Sequence, residues 1–132
     1  MKVTADTNLL VRIAIRDDVK QMQAARTVLE AAEITAITTP ALCEFTWVMR
    51  HAYKQTPAKI AAGIRVLLAS ANVAIHRPAA EAGLAMLEAG GDFADGVIAF
   101  EGEALGGETF ASFDKEAVKR LKKLGHDVFL LA

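Results

Sequence analysis

One cysteine, Cys43, stands alone in 132 residues. A lone thiol excludes an internal disulfide framework and points to a reducing compartment. No apolar run is long enough to span a bilayer. The first such run is also too short for a signal peptide and lacks a cleavage pattern. The expectation is a cytoplasmic chain with no membrane partner. Neither sign of charge is in excess: 15 Lys and Arg stand against 16 Asp and Glu, a formal net charge of −1. That argues against a strongly basic nucleic-acid glue. It leaves nucleic acid open as a ligand, because local patches matter more than the net value. Internal repeats, low-complexity tracts and linkers are absent. The signatures of several chemistries are absent too. His51, His76 and His126 have no zinc-like spacing and no cysteine partners. Ser70 and Ser112 lack a nucleophile elbow. Gly90-Gly91 and Gly106-Gly107 fit neither G-x-G-x-x-G nor a Walker A loop. Cys43 reads as a small buried side chain rather than a nucleophile.

What is present is a core. The hydrophobic fraction of 53% fits one domain in which most elements are buried on at least one face. Residues 2–6 read as a strand, 8–15 as a short helix or turn, and 19–33 as a helix with a period near 3.6. Residues 34–39 form a β-rich strand that Pro40 closes, and a helix covers 41–54. Thr56-Pro57 caps a helix that runs to about residue 71. A strand at 72–76 leads to a helix at 79–89, ended by Gly90-Gly91. Asp92 opens the next helix, which Gly106-Gly107 ends. A strand at 109–113, a basic helix at 115–124 and a strand at 127–131 complete the chain. Trp47 and the phenylalanines fall mostly on apolar stripes, which assigns them to the core. The alternation implies a single three-layer α/β/α domain over 1–132, with a mostly parallel central sheet.

The candidate chemistry lies at the ends of these elements. Asp6 ends the first strand, in Asp6-Thr7-Asn8. Glu44 follows the second strand, in or near the first turn of a helix. Asp92 and Asp95, three apart, share one face of a first helical turn. Asp114 ends the fourth strand. In open α/β sheets ligands sit beyond the carboxyl ends of the strands, and with the first and fourth strands as neighbours these acids meet in one crevice. Each has a plainer reading. Asp6, Asp92 and Asp114 suit helix N-caps, Asp95 complements a helix dipole, and Glu44 suits an exposed helix face. The joint pattern favours a site. Close carboxylates repel and need a counter-charge. Mg²⁺ or Mn²⁺ supplies it through oxygen ligands and supports displacement at phosphorus. That is the chemistry of a phosphodiester nuclease.

The order Asp6-Thr7-Asn8, Pro40 to Glu44, Asp92-Phe93-Ala94-Asp95-Gly96-Val97-Ile98-Ala99 and Ser112-Phe113-Asp114 resembles the PIN-domain family across essentially the whole chain. More narrowly it is similar to the VapC ribonuclease toxins of type II toxin–antitoxin modules. The resemblance implies an acidic quartet of Asp6, Glu44, Asp95 and Asp114, catalytic and binding one or two Mg²⁺ or Mn²⁺ ions. It implies Asp92 as a supporting acid and Thr7, Asn8 and Ser112 as the polar residues that orient the quartet. It further implies RNA cleavage by metal-activated water, a homodimer, and neutralisation by a cognate antitoxin. Phe100, Glu101 and Gly102 depart from the small residues common after the third motif, and no aromatic follows Asp114. These departures fall on substrate and partner surfaces and leave every acid in place.

An acidic centre needs cations around it to hold phosphates. Arg12, Arg16, Arg50, Lys54 and the cluster from Lys115 to Lys123 are candidates, with solvated helix faces as the plainer reading. Arg12 and Lys115 lie nearest the acids in sequence and are the expected substrate contacts. Two other functions fit the acids. One is a PIN-like nuclease for DNA or structured nucleic acid. The other is a non-enzymatic, Mg²⁺-binding α/β regulatory module of the phospho-receiver kind. A receiver wants a lysine at the end of its last strand, and residues 126–132 offer none.

Overall fold

The computed structural model describes residues 1–132. It is mixed α/β, with seven helices and only parallel strand pairs. This is the α/β class that the alternation implies. The chain forms two compact units, Met1–His76 and Arg77–Ala132.

The first unit runs β1 (Lys2–Thr4), α1 (Thr7–Ala14), α2 (Val19–Ala31), β2 (Ile34–Ile37), α3 (Thr39–His51), α4 (Pro57–Ala69) and β3 (Val73–Ile75). Its sheet has the order β1-β2-β3, with Thr4 opposite Ala36 and Ala36 opposite Ala74. The short helix or turn after Asp6 is a two-turn helix. Asp18 caps α2, its carboxylate accepting from the Gln21 N–H at 3.0 Å. Pro40 does not close a strand; it opens α3. The Thr38 hydroxyl accepts from the Ala41 N–H at 3.3 Å, so helix geometry begins at Thr39. Proline suits the first turn because the helix needs no N–H there. Strand propensity at Thr38 and Thr39 yields to this cap. Asn72 donates to the Leu29 and Ala32 carbonyls at 3.0 and 3.2 Å, which satisfies the end of α2 from the start of β3. Leu10, Leu42, Phe45, Ile60 and Ile64 are the large buried side chains of this unit.

The second unit runs α5 (Arg77–Glu88), α6 (Phe93–Ala104), β4 (Thr109–Ser112), α7 (Lys115–Lys123) and β5 (Asp127–Leu130), with β4 and β5 parallel. Leu84, Met86, Phe93, Val97 and Leu121 are buried here. Phe110 and Val128 from the strands pack on Met86, Ala99, Ala117 and Leu121. The α5–α6 hairpin is unusually close because two glycines line it. A Cβ at Gly83 would fall 2.5 Å from the Phe93 ring, and one at Gly96 would fall 2.5 Å from the Ala82 carbonyl oxygen. Gly90, at φ +90°, makes the turn after α5.

Two expectations need correction. The first and fourth strands are not paired neighbours: β1 pairs with β2, and β4 with β5. The aromatics are not all core. Phe45 and Phe93 are buried, but Trp47, Phe113 and Phe129 are 58%, 72% and 59% exposed.

Candidate functional site

In the first unit the site residues gather where β1 runs into α1. Ala5 is buried and extends the pairing, its N–H donating to the Ala36 carbonyl at 3.0 Å. Asp6 then turns the chain. Its Oδ1 accepts from the Leu9 N–H at 2.9 Å, which makes it the N-cap of α1. A carboxylate has two oxygens, so capping and ligation can coexist in one residue. Asp6 and Asn8 are exposed, and Thr7 is half-buried. The Thr7 hydroxyl donates to Glu44 Oε1 across 3.4 Å, a long bond that joins the end of β1 to α3. Glu44 lies in the second turn of α3, not the first, because that helix begins at Thr39. Its neighbours Leu42 and Phe45 are buried while Glu44 itself is exposed. The helix thus anchors one face and offers the carboxylate on another.

In the second unit three aspartates stand together. Asp92 caps α6, its Oδ1 accepting from the Ala94 N–H at 3.0 Å. Asp114 caps α7, its Oδ1 accepting from the Glu116 and Ala117 N–H groups at 3.0 and 3.1 Å. Ser112 accepts from the Asp114 N–H at 3.0 Å, which fixes the turn that presents Asp114. Asp95 differs from both. It sits half-buried in the first turn of α6, and its carboxylate has no hydrogen-bond or salt-bridge partner. Burial pushes its pKa above the ordinary carboxylate value, and the charges of Asp92 and Asp114 push it further the same way.

The donors are therefore all carboxylates, and each capping aspartate keeps one oxygen that the cap does not use. That set fits a hard divalent cation. No three or more Asp, Glu, His or Cys side chains lie in an arrangement that could hold a metal ion.

The expected phosphate contacts fare differently. Arg12 is not a free cation. Its Nη1 donates to Asp17 at 2.8 Å and its Nη2 to the Tyr53 hydroxyl at 2.6 Å, with the side chain 14% exposed. It ties the end of α1 to the turn after α3, and a substrate contact would have to break that clamp. Lys115 is exposed at the start of α7. Arg120 pairs with Glu116 at 3.5 Å, whereas Lys119, Lys122 and Lys123 are exposed. Cys43 is a half-buried thiol outside any disulfide. His126 lies 3.9 Å from Glu103, and His51 stacks on Trp47. Tyr53 and the exposed Trp47 are what the sequence reading missed. Spacing held a signal for the second: residue 47 lies off the stripe of Leu42, Phe45 and Met49 and on the face of Glu44.

Comparison with protein families matches residues 3–124 to the family described as PIN domain. Comparison with curated proteins finds no match.

Proposed function

This chain belongs to the PIN-domain family, and from that premise we propose that it is a metal-dependent endoribonuclease, the toxin of a VapBC-type toxin–antitoxin module in the cytoplasm. PIN domains are typically nucleases, and such nucleases generally use divalent ions. The observation that carries the reading is Asp95, a half-buried carboxylate with no partner of its own, within electrostatic reach of Asp92 and Asp114. Uncompensated acids in that number are costly to a fold unless a cation answers them.

In this reading Asp6 and Glu44 are the candidate ligands of the first unit, and Asp95 and Asp114 are those of the second. Bound Mg²⁺ or Mn²⁺ would lower the pKa of a water and offset charge developing at phosphorus. The protein's own part is orientation. Thr7 holds Glu44, the α1 cap holds Asp6, and Ser112 holds the turn of Asp114. Asp92, anchored as the α6 cap, places its carboxylate beside Asp95, which pushes the Asp95 pKa up and adds to the local pull on a cation. Asn8 stands beside Asp6 as a polar support. Lys115 is the expected phosphate contact, and Arg12 serves there only if its clamp opens. The antitoxin and a second copy of the chain are the proposed protein partners.

The test is cleavage of single-stranded RNA in Mg²⁺ or Mn²⁺. Asp6→Asn and Asp95→Asn should abolish it while circular dichroism stays native. Equal cleavage in excess EDTA would refute metal dependence, and preferential cleavage of DNA would redirect the substrate.

A further inference from the structure

Helix α3 buries Leu42, Phe45 and Met49 but leaves its tryptophan 58% exposed. A bare indole in water is unfavourable, yet this one is held in place. Its ring stacks on His51, with centroids 4.8 Å apart and planes tilted by 40°. The pair is the helical i, i+4 spacing at work. One turn earlier on the same face is Glu44, which accepts from Thr7. Residues 44, 47 and 51 therefore form a strip: carboxylate, indole, imidazole. Adjacent members at i, i+3 have Cβ atoms about 5–6 Å apart, roughly the reach of one nucleotide. Beyond the strip the charge reverses. Arg50 and His51 occupy the last turn of α3, and Lys54 follows in an exposed left-handed turn at φ 55°.

We propose that Trp47 is a stacking platform for one unpaired base of the RNA substrate, next to the phosphodiester that would be hydrolysed at Glu44 and its neighbouring carboxylates. This rests on the nuclease reading above. The chemistry of the strip selects the occupant. A protein helix docks on a continuous apolar stripe, whereas the exposed face of α3 offers a single aromatic among Pro40, Glu44 and His51. One ring between a carboxylate and a cationic helix end suits one base with its phosphates aligned along the strip. Base–aromatic stacking needs only a π-face, so the contact favours unpaired nucleotides without naming a sequence.

Trp47 is the only tryptophan in the chain, so its emission reports on this position alone. The Asp95→Asn chain, which should not cleave, is titrated with a short single-stranded RNA. Emission and the anisotropy of a label on the RNA are followed together. The expected result is saturable quenching that parallels the anisotropy, with much weaker quenching by duplex RNA. In the cleaving chain, Trp47→Ala should raise KM by roughly 5- to 100-fold, the loss of one stacked base, with the loss in KM rather than kcat. Trp47→Phe should restore most of it. Anisotropy that saturates without quenching, or an unchanged KM in Trp47→Ala, overturns the platform while wild-type cleavage preserves the nuclease reading. Emission that shifts with protein concentration alone, with Trp47→Ala dissociating a dimer, also overturns it by giving the ring to a second copy. Absence of wild-type RNA cleavage in Mn²⁺ overturns both.

Discussion

Two glycines of α6 should respond to alanine with opposite signs. At Gly96 an added Cβ would lie 2.5 Å from the Ala82 carbonyl oxygen and 2.7 Å from the Met86 Cβ. Real Cβ atoms essentially never come closer than 3.0 Å. Helix α6 would have to retreat from α5 by about half an ångström merely to reach that limit, and neither obstacle is the flexible end of a side chain. Overpacking of this kind costs about 1–3 kcal/mol. Alanine returns about 1 kcal/mol of helix propensity, so the net loss is up to about 2 kcal/mol. Gly102 lies in the same helix with nothing within 4 Å of its added Cβ. There only propensity acts, and Gly102→Ala should gain about 0.5–1 kcal/mol. Urea unfolding followed by circular dichroism measures both, with an unchanged slope showing that the change is in stability. The midpoint should fall for Gly96→Ala and rise for Gly102→Ala. A chain of this size shifts its Tm by about 3–5 °C per kcal/mol, so the two variants should melt well apart. The consequence extends to the acids. Gly96 adjoins Asp95, so a retreat of α6 moves the carboxylate, and Gly96→Ala should also lose RNA cleavage that Gly102→Ala keeps. A Gly96→Ala chain as stable as the wild type would refute the close α5–α6 packing.

Asp95→Asn should stabilise the metal-free protein at neutral pH. Its folded pKa is raised, first by burial and then by Asp92 and Asp114, so the wild type loses stability as pH rises above the ordinary value near 3.8. The variant's advantage should therefore shrink on acidification, and a constant difference between melts at about pH 3 and about pH 8 would contradict the assignment. Mn²⁺ should raise the Tm of the wild type, by about 2.7 kcal/mol of stability at a hundredfold excess over Kd. Asp95→Asn and Asp114→Asn should lose most of that shift in the same thermal scan. Tyr53→Phe strips the partner from Arg12 Nη2, which lies at 2.6 Å, and should cost about 1–3 kcal/mol in urea unfolding.

Much of the fold follows from local chemistry, and local chemistry is visible in a sequence. Asp6, Asp18, Thr38, Thr56, Asp92 and Asp114 each cap a helix through an N–H two or three residues on. Such short-range bonds, together with the 3.6-residue period, mark the helices wherever the chain later goes. That is why the α/β alternation and the positions of Asp6, Asp92 and Asp114 at the heads of helices were legible. The errors were also local at their edges. At Thr38-Thr39-Pro40, β-branched residues imitate a strand, and the cap prevails because Thr38 satisfies an N–H that the helix would otherwise leave bare.

Asp6 illustrates the division. Its place at the end of β1 and its fitness as a cap are properties of the chain alone. That Thr7 beside it reaches Glu44, 37 residues away, is a property of β1 lying next to β2. Arg12 looked like a phosphate contact until Tyr53, 41 residues distant, claimed it. Trp47 looked like core until packing turned Leu42, Phe45 and Met49 inward and left the indole outside. Asp95 is one more acid in the sequence, and only burial beside Asp92 and Asp114 makes it the strained one. Capping and periodicity are short-range and belong to the sequence. Which charge is answered, and which ring is covered, depends on groups that meet only when the chain has folded.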